Sequence, residues 1–459
     1  MTQMKAPFQD YFRTLIGEKD AEQFFSSIEK KVMGPRSIRV NTLKITKKAL
    51  TKWFKSQGYE VADSPYSSDG IELTGAGVEW ALKMPYHAGF TYPQDAASMF
   101  AVEVLDPQPG EFVLDLTAAP GGKTTHMAQR MNNTGVLVAN DMDTHRLKAL
   151  RSNLSRLGIV NAYVSRMSAS KMADIYPETF DRILLDPSCS GEGLFVTNEG
   201  QPNYWNKKGL KHFSGLQFGL LRSAFRMLKP GGRLLYSTCA LNAVENDGVV
   251  EDFLAKTPEA AVDANAMKEL KKKKIKVPVQ LAGLQGIRFW PHKTKTKGFF
   301  CIAITKTAAQ PSERHEERNS LRVLKKDERK IYDVFLKDHF GITVKDCEWV
   351  PFEHHLFLVG KDLLRLPPPM GFSLALPALK TYENEEMKPS HEGSVFFTSM
   401  ATKNVIELTK EQMEKAMKHE PLELKGVKEG MYFSKYLDFP IGLLKVGSQR
   451  TELLVPKMA

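Results

Sequence analysis

Between Phe112 and Thr305 the chain alternates short runs of Val, Ile and Leu with longer segments that repeat apolar residues at three- and four-residue spacing. FVLDL, GVLVAND, AYVSRM, DRILLD and GRLLYST have the length and branching of strands buried on both faces. GGKTTHMAQRM, DTHRLKALRSNLSRLG and GLQFGLLRSAFRMLK have the length and period of helices. That rhythm predicts βαβ units in an α/β fold, a parallel sheet covered by helices. Such sheets bind ligands at the carboxyl ends of their strands.

The flanks read differently. Two amphipathic helices around Phe8–Lys31, then RSIRVNTLK and YEVADSPYSSDGIEL, predict a small α/β layer ahead of the main domain. KTAAQPSERHEERNS, Lys306–Ser320, is polar and turn-rich and reads as a linker. LPPPMGF, Leu366–Phe372, marks a further break before a strand-rich tail. The expected domains are therefore 1–90, 91–305, 306–370 and 371–459.

With 42% hydrophobic residues the cores are well supplied, yet no run of eighteen apolar residues occurs and the N-terminus lacks a signal pattern. A soluble, cytoplasmic, monomeric protein is expected. Cys189, Cys239, Cys301 and Cys347 form no CxxC or Cys/His cluster, so free thiols and no metal are expected. The net charge of +11 favours a polyanionic partner such as nucleic acid.

LDLTAAPGGKT, Leu114–Thr124, ends a strand at Asp115, turns through small residues and opens a helix whose N–H groups would face a polar ligand. About twenty residues beyond the glycines a second strand ends at Asp141, where a carboxylate receives ribose hydroxyls in nucleoside-binding folds. The glycines match neither GxGxxG nor the P-loop, which favours an adenosine-type ligand other than NAD or ATP, such as S-adenosylmethionine. DPSCSGEG and YSTCALNAVEN each place a cysteine, Cys189 and Cys239, just past a buried strand. Both thiols should emerge on the ligand edge, near one another and near Asp186. Two thiols and an acid suit cytosine C5 methylation, in which a thiolate adds to C6 and makes C5 nucleophilic, and an acid near N3 stabilises the adduct.

DLTAAPGGKT, DPSCSGEG, YSTC, RSIRVNTLK and YPQDAAS occur in the order found in the Sun-domain RNA cytosine-5 methyltransferases. The whole chain most resembles the bacterial 16S rRNA enzymes of the RsmF (YebU) type. The resemblance implies a Rossmann-like S-adenosylmethionine methyltransferase sheet, a small α/β N-terminal domain, and C-terminal α+β and PUA-like RNA-binding domains. It also implies 16S rRNA, in the decoding region of the small ribosomal subunit, as partner and substrate. Cys239 would be the nucleophile, Cys189 would assist product release, and Asp186 would contact the cytosine near the methyl donor. Thr117, Ala118, Ala119, Pro120, Gly121, Gly122 and Lys123 would cradle the cofactor, Asp141 would take its ribose, and Arg146 would support that shell. Three departures stand out: DPSC where the family has DAPC, Thr117 where it has Cys or Ala, and Ser168 where it has an adenine-facing Asp.

Arg39 and Asn41 of RSIRVNTLK, Lys271, Lys272, Lys273 and Lys274 of KELKKKKIK, and Lys293 and Lys295 of HKTKTKG are the expected RNA contacts. Trp205 and Trp290 could stack on bases, although core packing is the simpler reading. The catalytic motifs do not encode the RNA, so a tRNA cytosine-5 methyltransferase stays open, as does a catalytically silent ribosome-assembly factor.

Overall fold

The computed structural model describes residues 4–31, 34–75, 77, 80–197, 202, 205–278, 280, 286–309, 321–381, 387–418, 420–447 and 451–454. From 310 onward the expected linker lies outside them. A nine-stranded sheet occupies the centre. Its order is Ala260–Val262, Phe299–Lys306, Leu228–Thr238, Phe180–Leu185, Phe112–Asp115, Val136–Asn140, Ala162–Ser165 and Ser373–Leu374, with Ile287–Phe289 paired onto Phe299–Lys306. The five strands from Leu228–Thr238 to Ala162–Ser165 run parallel.

After Phe112–Asp115 the chain builds outward through Val136–Asn140 and Ala162–Ser165, then crosses back to lay Phe180–Leu185 on the other flank. The strand order reverses at Phe112–Asp115, and such a reversal opens a crevice at the carboxyl ends of the strands.

Successive residues of each strand point to opposite faces, which assigns them to two cores. Val113, Leu137, Val164, Leu184 and Leu235 pack under helices Ala96–Leu105, Gly122–Arg130 and Thr144–Leu157. Leu114, Val138, Tyr163, Ile183, Leu185 and Leu234 pack under Ala169–Ile175, Lys207–Met227 and Asp247–Lys256. Thr144–Leu157 illustrates how sequence sets such a helix. Asp143 caps it by accepting from the His145 and Arg146 N–H groups, and Leu147, Leu150, Leu154 and Leu157 form its buried face. Gly158, at φ +77°, ends it in the left-handed conformation that glycine tolerates.

The N-terminal helices Ala6–Ile16 and Glu18–Glu29 bury Phe8, Phe12, Phe24 and Phe25 against Phe195, Trp205 and Trp290. Both tryptophans are thus core residues, as the simpler reading held, and Trp205 Nε1 donates to Glu192 Oε1 at 2.6 Å. Glu60–Asp63, Gly70–Thr74, Arg36–Val40 and Thr91–Pro93 form the small N-terminal sheet.

Cys347–Phe352, His355–Gly360, Leu376–Thr381 and Met387–Pro389 form a third sheet, and Val405–Glu407, Gly430–Tyr436, Phe439–Val446 and Thr451–Leu454 a fourth. The boundary expected between 370 and 371 falls inside the third sheet. The proline-rich turn does not end a domain there; it redirects the chain so that Ser373 and Leu374 pair with Val164 and Tyr163. Among the described residues no helix is long and apolar enough to cross a membrane.

Leu150 is fully buried and would lie 2.9 Å from a side chain placed on Gly121. Leu150→Ala is expected to destabilise the catalytic core by about 2–5 kcal/mol, read as an earlier midpoint in urea denaturation followed by circular dichroism.

Candidate active site

Asp186, just past the Phe180–Leu185 strand, gathers three strand ends. Its Oδ2 accepts from Lys123 Nζ at 2.6 Å and its Oδ1 from Ser237 Oγ at 2.9 Å. Its own N–H donates to Thr117 Oγ1 at 3.0 Å. Thr117 and Lys123 follow the Phe112–Asp115 strand, and Ser237 closes the Leu228–Thr238 strand.

The Thr117–Lys123 turn is held from below and from the side. Asp141 accepts the Ala119 N–H at 3.0 Å and the Asp143 N–H at 2.9 Å. Arg146 reaches the Ala119 carbonyl and lies 3.6 Å from Asp141 Oδ2, while Asn153 donates to the Pro120 carbonyl at 2.9 Å. Gly121, at φ +104°, opens helix Gly122–Arg130 in a conformation costly for any side chain. Sequence reasoning missed Asn140. Its amide donates to the Leu116 and Met167 carbonyls and accepts from Ser165 Oγ and Met167 N–H, fixing three strand ends to one another.

Beneath the turn lies Asp115, whose carboxyl accepts from Thr124 Oγ1 at 2.6 Å. Burial pushes this carboxyl up to about 7, against the pull of the Thr124 hydroxyl and the Lys123 ammonium. Lys123 stays charged: burial disfavours its ammonium, but Asp186 outweighs that and raises it above the usual lysine value.

The Cys189 and Cys239 sulfurs are 2.8 Å apart. Cys189 is held well above the ordinary thiol range, first by its hydrogen bond to Cys239 and then by burial. The Lys123 ammonium interacts favourably with Cys239. Cys189 is thus the sulfur held toward its protonated form, and Cys239 the one with a cation nearby.

Two cavities meet at Asp186. One, of about 370 Å³, is lined by Tyr92, Gln94, Asp95, Lys123, Cys239 and Phe299 among others. The other, of about 620 Å³, is lined by Asp141, Met142, Asp143, Met167, Ser170 and Leu216 among others. Thr117, Arg146 and Asp186 line both. A carboxylate at a strand end among methionine and leucine side chains suits a nucleoside; a thiol, a lysine and two aromatic rings suit a planar base. Ser168 takes no part in either lining. It is exposed, and its hydroxyl caps helix Ala169–Ile175 by accepting the Lys171 N–H, because a residue at that helix start turns its side chain back onto the helix.

Residues 102–305 match the family described as 16S rRNA methyltransferase RsmB/F. Ribosomal RNA small subunit methyltransferase F of Vibrio campbellii is 30% identical over 98% of this chain and 96% of its own. The chain belongs to this family. It is accordingly an rRNA methyltransferase of the wider rRNA/tRNA cytosine-5 group. A tRNA (cytosine(49)-C(5))-methyltransferase of Pyrococcus abyssi is 34% identical over 62% of this chain and 92% of its own. The crystal structure of a methyltransferase homologue from Pyrococcus horikoshii, 34% identical, superposes with a TM-score of 0.57 over 66% of this chain and 95% of that one.

Against that background the expected RNA contacts divide. Arg39 and Asn41 are buried and serve as internal ties. Arg39 donates to Gln94 Oε1 at 3.0 Å and to Thr125 Oγ1 at 2.7 Å, and burial lowers its guanidinium to about 9. Asn41 donates to the Gly89 and Leu157 carbonyls. Lys271, Lys272 and Lys274 are exposed, whereas Lys273 pairs with Asp106 at 2.5 Å. Asp106 ends helix Ala96–Leu105, and Asp95, which caps its start, lines the smaller cavity. The lysine run thus packs at the far end of a ten-residue helix, about 15 Å long, whose first turn borders the thiols' cavity. In HKTKTKG, Lys293 pairs with Asp20 at 3.0 Å and Lys295 is exposed. The lysine of that stretch that lines the cavity is Lys297, unremarked in the sequence because side-chain direction depends on how the segment packs.

Lys123→Met is expected to slow alkylation of Cys239 by iodoacetamide, as counted by peptide mass spectrometry, because it removes the ammonium that interacts favourably with that sulfur. Asp115 yields a second prediction. Its folded carboxyl holds a proton that an unfolded chain releases near pH 4, so the folded state binds more protons between about pH 4 and pH 7, and stability falls as pH rises through that window. Asp115→Asn should flatten that slope in melting temperature measured from pH 4 to pH 8.

Proposed function

We propose that the chain transfers a methyl group from S-adenosylmethionine to C5 of a cytosine in 16S rRNA, within the decoding region of the small ribosomal subunit, through a covalent Cys239–C6 adduct. The observation that carries this reading is the placement of the Cys239 thiol and the Asp186 carboxylate in one cavity, with Asp186 also lining the next. The donor set fits the cofactor. Asp141 stands ready for ribose hydroxyls, Met142 and Met167 supply apolar walls, and the Thr117–Lys123 turn presents backbone to the remainder. When bound, S-adenosylmethionine supplies an electrophilic methyl group.

The chain's own residues do the rest. Cys239, as thiolate beside Lys123, adds to cytosine C6 and pushes electron density to C5. Asp186, fixed by Lys123 and Ser237, faces the base edge and stabilises the adduct. In the release step the C5 proton passes to water, the C5–C6 double bond re-forms, the C6–Sγ bond breaks and Cys239 leaves as thiolate; Cys189, 2.8 Å from Cys239, assists by hydrogen-bonding the departing sulfur. An RNA base enters such a cavity splayed from its stack. The 30% identity to a small-subunit rRNA enzyme along nearly the whole chain favours rRNA over tRNA, since the tRNA relative covers 62% of it.

Cys239→Ala is expected to abolish methyl transfer to small subunits while cofactor binding, followed by calorimetry, persists. Cys189→Ala should accumulate a covalent RNA–protein band on a denaturing gel; full turnover without that band would sink the release role. Bisulfite mapping of 16S rRNA and tRNA from cells with and without the protein identifies the substrate, and a change confined to tRNA would overturn the rRNA reading.

A further inference from the structure

Behind the thiols lie two buried carboxyl groups, Glu192 and Glu245, both with no exposed surface. Glu192 accepts from Trp205 Nε1 at 2.6 Å, the Leu241 N–H at 3.0 Å and Asn242 Nδ2 at 2.9 Å. Glu245 accepts from the Ser190 N–H at 3.1 Å, Gln217 Nε2 at 2.8 Å and Asn242 Nδ2 at 2.8 Å. All of these donors are neutral. Two uncompensated carboxylates in a dry interior are costly, and the pair relieves that cost by keeping one proton.

Hydrogen counting agrees. Ser190 Oγ contacts Glu192 Oε1 at 2.8 Å and also contacts Glu245 Oε1. A serine hydroxyl has one hydrogen to donate, so one of those contacts takes its hydrogen from a carboxyl group. Burial, followed by the charge of Glu245, raises Glu192.

The pair also spans the two loops that carry the thiols. Ser190 follows Cys189, and Leu241, Asn242 and Glu245 follow Cys239. Among the described residues, a direct backbone tie between those loops runs from the Gly193 N–H to the Cys239 carbonyl at 2.8 Å. We propose that Glu192 and Glu245 form a proton-sharing carboxyl pair that bridges these loops through Ser190 and positions Cys189 against Cys239. The positioning role rests on the roles proposed for the two thiols; the shared proton does not.

The titratable groups facing the pair are Cys189 and Cys239 on the loops, Tyr236 on the Leu228–Thr238 strand, Tyr11 on the N-terminal helix and Asp247, which is paired with Arg288. Tyr236 donates to the Glu245 carbonyl at 2.7 Å and Tyr11 accepts the Ala243 N–H at 3.0 Å, so both aromatic hydroxyls brace the second loop. The Asp247–Arg288 pair is self-neutralised. None of these groups supplies the pair with a cation.

Infrared spectroscopy of the full chain at pH 8 tests the proton. In an Asp115→Asn background, which removes one of the three other carboxyls that burial raises (Glu72 and Asp95 are the remaining two), a protonated-carboxyl component belonging to the pair is expected, and that component should vanish in both Glu192→Gln and Glu245→Gln. Its absence from the parent, or its survival in both variants, overturns the shared proton. Ser190→Ala tests the positioning while leaving both acids. The expected result is a fall in kcat of roughly tenfold, the scale of one lost hydrogen bond, with KM for RNA unchanged and with recovery in Ser190→Thr. Unchanged kcat, or a loss appearing only in KM, overturns the positioning role. A chain that shows the infrared band but transfers no methyl group would instead refute the thiol assignments and leave the shared proton intact.

Discussion

The Lys123–Asp186 ion pair stands where three strands of the central sheet deliver their carboxyl ends. Everything else at the site is arranged around it. Asp186 is fixed by Ser237 and Thr117, so the loop that continues to Cys189 leaves the sheet in a set direction. Lys123 is fixed by the same contact and turns its charge toward Cys239. The pair is also a partition, because Asp186 lines the nucleoside-sized cavity on one side and the thiol cavity on the other. Two reagents held in these cavities are separated by one carboxylate.

Burial supplies the rest of the electrostatics. Asp115 beneath the turn and Glu192 behind the thiols are both raised by desolvation, which disfavours negative charge close to Asp186 and the two sulfurs. At the strand ends the Asp186 charge is answered by Lys123. A site built this way can concentrate polar groups in a dry interior.

The central sheet was legible because its strands are buried on both faces, and runs such as DRILLD have no other economical reading. The approach of Cys189 to Cys239 was legible too, since both follow neighbouring strands of a parallel sheet. Arg39 was not. A charged residue in RSIRVNTLK reads as surface, and its burial is made tolerable by partners far along the chain, Gln94, Thr125, the Gly122 carbonyl and the Tyr92 ring. The lysine run was legible as basic, but its distance from the cavity follows from which end of Ala96–Leu105 it packs against. Glu192 and Glu245 carry no pattern of their own, and their meeting depends on two loops closing around Ser190. The capping role of Ser168 was not legible, because a capping serine and a ligand-facing one look alike in sequence.

The short Ser373–Leu374 strand joins the tail to the catalytic sheet more closely than its two residues suggest. It covers the open flank of Ala162–Ser165, and the Tyr163 and Tyr176 hydroxyls reach over to carbonyls of Leu363 and Pro367 in the same segment. Unpaired sheet edges invite other chains to add strands. The C-terminal region therefore caps an edge of the catalytic sheet, so the two parts share one continuous run of backbone hydrogen bonds.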